Sequence, residues 1–363
     1  MSSGCLKVLI VGSGFGCRIQ VPAFRGAGFD VVGLVGTDLQ RTTERARQNG
    51  LERAFTSMQE AITATGPHVV AVSTPPDTHA ELTIAALELG CHVLCEKPFA
   101  SSKDEAVLML DAAERAGQIH FLGNEFRYVP QRAAIAQAIA DGLIGQPRFA
   151  TMVQYSGYVA AFQNDIPEWW FDPLRGGGWL GASGSHAVDQ IRSTLGEFDS
   201  VSATLSRVTA SRGPIEDSFT LRYTLRSGLE GVIQQSSGAF GPLGDFTRIA
   251  GDKGTIWTEG EVIHYADKRG ERELEIPVAL RLPPSPPLSG DSRHSRVEWQ
   301  VMAAAEIGPY TELCRAFAAA IQGEPAQSSV QPATFHDGVA NMAVLDAIRA
   351  SAAGGGVVER VPR

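Results

Sequence analysis

A lysine stands where a hydrophobic strand ends: His92–Leu94 runs into Cys95-Glu96-Lys97-Pro98. An amine held beside a core can stabilise a developing oxyanion or exchange a proton. The competing reading is an ion pair with Glu96, but adjacent strand residues point to opposite faces. Far downstream, His186 lies in Gly184-Ser185-His186-Ala187-Val188-Asp189. Imidazole titrates near neutrality, which suits acid–base work, yet by type alone His186 could be a satisfied core histidine. Asp189, about one helical turn later, shares its face and could orient the ring or cap nearby backbone.

A third feature bears on a phosphate-bearing ligand. Gly12-Ser13-Gly14-Phe15-Gly16-Cys17 follows the apolar run Lys7–Val11 and opens a helix near Arg18–Gly26. Glycines there allow a tight turn and close approach of backbone N–H groups to a pyrophosphate. The third glycine of the G-x-G-x-x-G pattern falls on Cys17, whose side chain is small enough for the helix–strand contact. The pattern predicts dinucleotide binding. The second strand ends Val35-Gly36-Thr37, with Asp38 beyond the place where a carboxylate would meet a ribose 2′-hydroxyl. Thr37 and Arg41 suit a 2′-phosphate, although both could be plain surface residues at a helix start. NADP(H) is expected in preference to NAD(H).

These residues must be held by a scaffold. Residues 1–122 alternate strands and helices: Lys7–Val11, Asp30–Val35, Val69–Val72, His92–Leu94 and Ile119–Leu122, with helices at Gln40–Asn49, Asp77–Leu89 and Lys103–Ala116. That alternation predicts a doubly wound parallel sheet. Residues 123–363 change character. A helix at Gln131–Asp141 and a strand at Phe149–Tyr155 lead into consecutive strands between about Ser200 and Glu275. Two helices near Pro309–Gln322 and Pro332–Ser351 follow, then a glycine tail expected to be mobile. The fold class is therefore α/β, with a second domain built on a large, open, mostly antiparallel sheet.

Composition removes several classes. With 363 residues, 44% apolar and 20% charged, the chain suits a soluble two-domain protein. A net charge of −9 argues against nucleic acid or an anionic membrane as partner. No segment reaches the roughly 20 apolar residues of a membrane helix. The five cysteines read as reduced thiols of a cytoplasmic protein. The eight histidines are scattered, without H-x-x-E-H or C-x-x-C, so no metal site is expected. Gly181-Ala182-Ser183-Gly184-Ser185 misses the last glycine of a serine-hydrolase elbow.

Taken together, the glycine turn, Thr74-Pro75-Pro76-Asp77-Thr78-His79, the run Ala86 to Pro98 and Gly176-Gly177-Gly178-Trp179-Leu180 with His186 and Asp189 resemble the Gfo/Idh/MocA family. The resemblance covers nearly the whole chain. It implies that Thr74, Pro75, Pro76 and His79 line the nicotinamide side of a cofactor, with Glu96 and Lys97 at its ribose and reacting carbons. It implies that the Lys97–Pro98 bond is often cis. It places Asn124, Arg127 and Tyr128 at the crossover between domains, and Trp170 and Arg175 facing cofactor and substrate. Lys97, Arg127, Tyr155, Arg175 and His186 are the expected substrate contacts, and Lys97, His186 and Asp189 the expected catalytic set. Relatives that act on sugars or cyclitols usually carry an aspartate four residues before the histidine; here that position is Ala182.

The expectation is a dehydrogenase or reductase acting on a sugar, cyclitol or related polyhydroxy substrate, assembled as a homodimer or homotetramer through the open sheet. Two alternatives stand beside it: a redox-neutral enzyme that retains NAD(P), glycosidase- or lyase-like, and a non-catalytic cofactor-binding sensor, which Ala182 would favour. Loops at 156–180 and 281–300 are expected to shape the pocket.

Overall fold

The computed structural model describes residues 5–162, 166–209, 213–240, 244–288, 297–325 and 328–362. Of the two pocket loops, residues 163–165 and 289–296 lie outside the described residues. The chain forms two compact units, residues 1–100, 104–129 and 281–338, and residues 101–103, 130–280 and 339–363.

The first unit is built on β1 (Lys7–Val11), β2 (Asp30–Val35), β3 (Ala54–Phe55), β4 (Val69–Val72), β5 (His92–Cys95) and β6 (His120–Leu122). Their order is β3-β2-β1-β4-β5-β6, all pairs parallel. The order reverses direction between β1 and β4, where open α/β sheets bind ligands beyond their carboxyl ends. The central strands are apolar throughout because helices cover both faces; Val69, Val70, Ala71 and Val72 are all fully buried.

The second unit carries β7 (Pro147–Tyr155), β8 (Phe198–Ser206), β9 (Ser218–Leu225), β10 (Glu230–Ser236), β11 (Gly244–Gly251), β12 (Thr255–Glu259), β13 (Val262–Asp267), β14 (Gly270–Leu274) and β15 (Glu359–Arg360). They form one nine-stranded sheet, β14-β13-β12-β11-β7-β10-β9-β8-β15. Only β7 and β10 pair in parallel. Alternation along β7 buries Ala150 and Met152 and leaves Phe149 and Tyr155 exposed on the other face.

Three expectations need correction. The second unit does not include the whole remainder of the chain: residues 281–338 belong to the first. The cause is the helix Val297–Gln322, whose Ile307, Tyr310, Leu313 and Phe317 complete the core around β1 and β4. That helix also starts well before Pro309, which lies inside it. Burial of its apolar face outweighs the roughly 3 kcal/mol cost of an interior proline. The glycine tail is tied down: Ser202 Oγ donates to the Gly356 carbonyl at 2.7 Å, and Glu359–Arg360 pairs with β8.

Candidate active site

In the first unit, the turn after β1 has the shape that its glycines suggest. Gly12 has φ of +114°, and a Cβ there would lie 2.5 Å from the Ser73 carbonyl oxygen. A Cβ on Gly16 would meet Ile10 Cγ2 at 2.6 Å. Gly14 is different: it is exposed, and nothing lies within 4 Å of its would-be Cβ. Two glycines thus serve the fold, and the third leaves its backbone open to a ligand. Cys17 is fully buried against the core, so the third position of the pattern tolerates it. Phe15 packs on Tyr310 at 5.8 Å between ring centroids.

At the end of β2, Asp38 caps the helix Leu39–Gln48, accepting from the Arg41 backbone N–H at 2.7 Å. Its carboxylate is thereby turned to its own helix, away from a ribose contact. The Arg41 guanidinium donates to Thr37 Oγ1 at 3.1 Å. Arg45 donates to the Ser13 hydroxyl and sits over the glycine turn. Sequence reasoning missed Arg45, although it is one turn beyond Arg41 on the same face.

The loops after β4 and β5 are stapled together by His79. This imidazole is fully buried. Its Nε2 lies 2.8 Å from the Thr74 carbonyl and its Nδ1 3.1 Å from that of Pro98. Burial lowers its pKa, opposed by those carbonyls. His79 therefore positions Thr74-Pro75-Pro76 and the Lys97 loop from behind, and the expectation that it lines the cofactor is corrected. The Lys97–Pro98 bond is cis, as the resemblance implied.

Glu96 likewise faces inward. Its Oε1 accepts from Tyr310 Oη at 2.6 Å and Gln20 Nε2 at 3.2 Å, and its Oε2 from the Lys97 backbone N–H at 3.3 Å. It orients Lys97, which is half-buried, rather than reaching out to a ribose. Burial pushes the Glu96 carboxyl up to about 7, with Lys97 and Tyr310 opposing. A raised carboxyl pKa stabilises the fold fully below its ordinary value of 4.5, and that stability is lost as pH rises through about 7. Glu96→Gln, which mimics the protonated acid, should flatten that decline. Denaturant titrations near pH 5 and near pH 8 check it; equal slopes for wild type and variant across that window refute it.

Asn124 follows β6 and is 1% exposed, yet neither its Oδ1 nor its Nδ2 has a protein partner among the described residues. A buried amide left so is costly unless a ligand or water satisfies it. Arg127 departs from expectation. Its guanidinium meets Asp337 at 3.0 Å and the Gln331 carbonyl at 3.2 Å, which binds it to the first unit's own frame rather than to a substrate.

In the second unit, a π-turn at Leu180–Gly184 leads into the helix Ser185–Leu195, which carries His186 and Asp189. Both are buried, at 7% and 2% exposure. Gly184 lets the turn pack on Phe219, since a Cβ there would lie 3.1 Å from that ring. Glu216 secures the turn's start, accepting from the Leu180 N–H at 3.0 Å. Asp189 Oδ1 accepts from Asn341 at 3.1 Å, and Asn341 Oδ1 accepts from Arg192 at 2.9 Å. Asn341 and Arg192 were not foreseen; a lone asparagine within the apolar helix Phe335–Ala353 was the available signal. Trp170 and Arg175 are half-buried. Trp170 packs 5.5 Å from Tyr158 and 5.7 Å from Trp169. Tyr155 is a further correction. Its hydroxyl donates to Gln234 at 2.7 Å on the open face of the sheet. Gln154, on the opposite face, is the residue that meets Ser183 of the π-turn.

Residues 6–124 match an oxidoreductase family with an NAD-binding Rossmann fold, and residues 133–257 match the GFO/IDH/MocA C-terminal domain. The chain is 28% identical to levoglucosan dehydrogenase of Pseudarthrobacter phenanthrenivorans over 64% of this chain and 64% of that protein. It is 31% identical to 1,5-anhydro-D-fructose reductase of Ensifer adhaerens over 61% of this chain and 65% of that one. Both alignments thus span just under two thirds of the relative's own length. A solved levoglucosan dehydrogenase, in complex with NADH and levoglucosan, superposes with a TM-score of 0.83 over 99% of this chain and 100% of that one, at 24% identity. That likeness speaks to the fold.

Proposed function

The chain belongs to the Gfo/Idh/MocA oxidoreductase family, and from that footing we propose that it interconverts an alcohol and a carbonyl on a sugar or related polyhydroxy compound with NADP(H) as preferred cofactor. One observation carries the reading: an open glycine cradle at Gly14 shares its unit with Lys97, whose loop is fixed by His79 and Glu96.

The residues present fit a nicotinamide dinucleotide. Gly14 and its neighbours would take the pyrophosphate, Thr37, Arg41 and Arg45 a 2′-phosphate, and the orphaned amide of Asn124 the nicotinamide side. Once bound, such a cofactor supplies the hydride acceptor or donor. Lys97 stabilises the negative charge that develops on the substrate oxygen. His186 holds or releases the hydroxyl proton, with Asp189 and Asn341 fixing its helix. Trp170 and Arg175 would face the sugar.

The test is an absorbance screen over sugars, anhydrosugars, sugar phosphates, inositols and their keto derivatives with both cofactors. Levoglucosan and 1,5-anhydro-D-fructose head the panel because relatives are named for them. Turnover is expected. A tightly retained cofactor with no net absorbance change would point instead to the redox-neutral alternative. Arg41→Ala combined with Arg45→Ala should lower kcat/KM with NADPH by about tenfold or more and leave NADH nearly unchanged. A wild-type preference for NADH would sink the cofactor assignment. The exposed face bearing Phe149, Tyr155 and Val262 suits a second copy of the chain; a monomeric mass in sedimentation would refute that.

A further inference from the structure

The outer strand β6 is three residues long. It pairs with β5 on one side and meets Thr334 through a single bridge at Phe121 on the other. Two histidines add to these few ladder bonds, both through Nδ1. His92, the first residue of β5, accepts the Ile119 backbone N–H at 3.0 Å. His120, the first residue of β6, accepts the Phe335 backbone N–H at 3.3 Å. A backbone N–H can only donate, so each Nδ1 carries no proton and each ring is neutral.

The surroundings favour that neutral form. Phe335 opens the helix Phe335–Ala353, so its N–H is one of those that no intrahelical carbonyl satisfies. The positive end of that helix opposes a cation at His120. His120 is half-buried and packs on the fully buried Phe335 ring, 4.8 Å between centroids. Burial lowers its pKa to about 4, with His336 adding to the shift and its own carbonyl opposing. Burial also lowers the pKa of His92, and His68 adds to it. The groups around His92 are His68, whose Nδ1 accepts the Lys7 N–H, and Cys91, whose thiol donates to the Pro67 carbonyl. Those around His120 are His336, 3.6 Å from Glu114, and Asp337, which is paired with Arg127.

We propose that His92 and His120 form an acid-released latch that holds β6 between β5 and the start of the helix Phe335–Ala353. Protonation turns each Nδ1 from acceptor to donor, sets N–H against N–H and frees the strand. β6 runs directly into Gly123, whose N–H donates to the Cys95 carbonyl at 2.7 Å. A Cβ on Gly123 would lie 2.8 Å from Glu96 Oε1, so release loosens the support of the Lys97 loop. The latch does not depend on which substrate or cofactor the chain takes. Both folded-state pKa values are depressed. The latch's stability is therefore complete above about 6.5 and is lost as pH falls toward the folded values, about 4 for His120.

Denaturant titrations of the full chain test it, comparing wild type with the double variant His92→Asn/His120→Asn. Asparagine Oδ1 takes the place of Nδ1 as acceptor and does not titrate. Between about pH 7.5 and about pH 4.5 the wild-type folding constant should fall about tenfold further than that of the variant. The comparison cancels Glu96, which titrates with the opposite sign, and the other carboxyls. Equal falls refute the latch. Should the variant fold poorly, the wild type alone decides. Nitrogen-15 NMR of the histidine-labelled chain should show both Nδ1 atoms unprotonated at about pH 7.5. Exchange of the Ile119, Leu122 and Gly123 amides, corrected for intrinsic rate, should accelerate on acidification to about pH 5. A proton on either Nδ1 at the higher pH, or no acceleration at the lower, overturns the proposal.

Discussion

Lys97→Met lowers kcat/KM by about 10³-fold, with cofactor affinity changed far less, because it removes a charge that matters chiefly when the substrate oxygen becomes anionic. The loop itself should survive. His79 holds it through the Pro98 carbonyl, and Glu96 holds it through the Lys97 backbone N–H, which methionine retains. Lys97→Arg keeps the charge but spreads it over a larger planar group in place of the compact ammonium, so it should recover only part of the loss. Steady-state kinetics beside cofactor titration separate the cases. A Lys97→Met protein as active as wild type would remove the catalytic reading and leave the cofactor-binding sensor in its place.

Gly12→Ala and Gly14→Ala are two residues apart and should fail in opposite ways. At Gly12 the added methyl meets the Ser73 carbonyl at 2.5 Å on a backbone of φ +114°. Strain plus overpacking should cost roughly 3 kcal/mol of stability. At Gly14 the methyl meets nothing within 4 Å. Stability there should stay within about 0.5 kcal/mol of wild type, while cofactor affinity falls about tenfold or more, since the methyl occupies the space a pyrophosphate needs. Thermal melts and cofactor titration on the same two proteins read both effects. Equal loss of stability at the two positions would deny Gly14 its binding role.

Much of the Lys97 region was legible because it is local. The glycine turn, the proline-locked lysine and the apolar strands that carry them all fall within the first 100 residues, and each is recognised by residue type and short spacing. Tyr155 was misread for the opposite reason. Its place on the sheet depends on which face of β7 is covered, and Gln154, its neighbour, takes the inward position. Arg127 was misread because its partner, Asp337, is 210 residues away.

By itself the sequence determined the parallel pairing of the first sheet's main strands, the glycine turn after β1 and the placing of Lys97 at a strand end, since period-2 and period-3.6 patterns with glycine and proline punctuation are written locally. Only the tertiary structure decided that His79 and Glu96 work from behind the site, that the helix Val297–Gln322 returns to the first unit's core, and that Tyr310 reaches Glu96 across 214 residues of chain. The physical reason is that burial and hydrogen-bond satisfaction are properties of packed neighbours. The resemblance alone puts Glu96 at a cofactor ribose; the fold supplies the tyrosine and glutamine that hold its carboxyl inside.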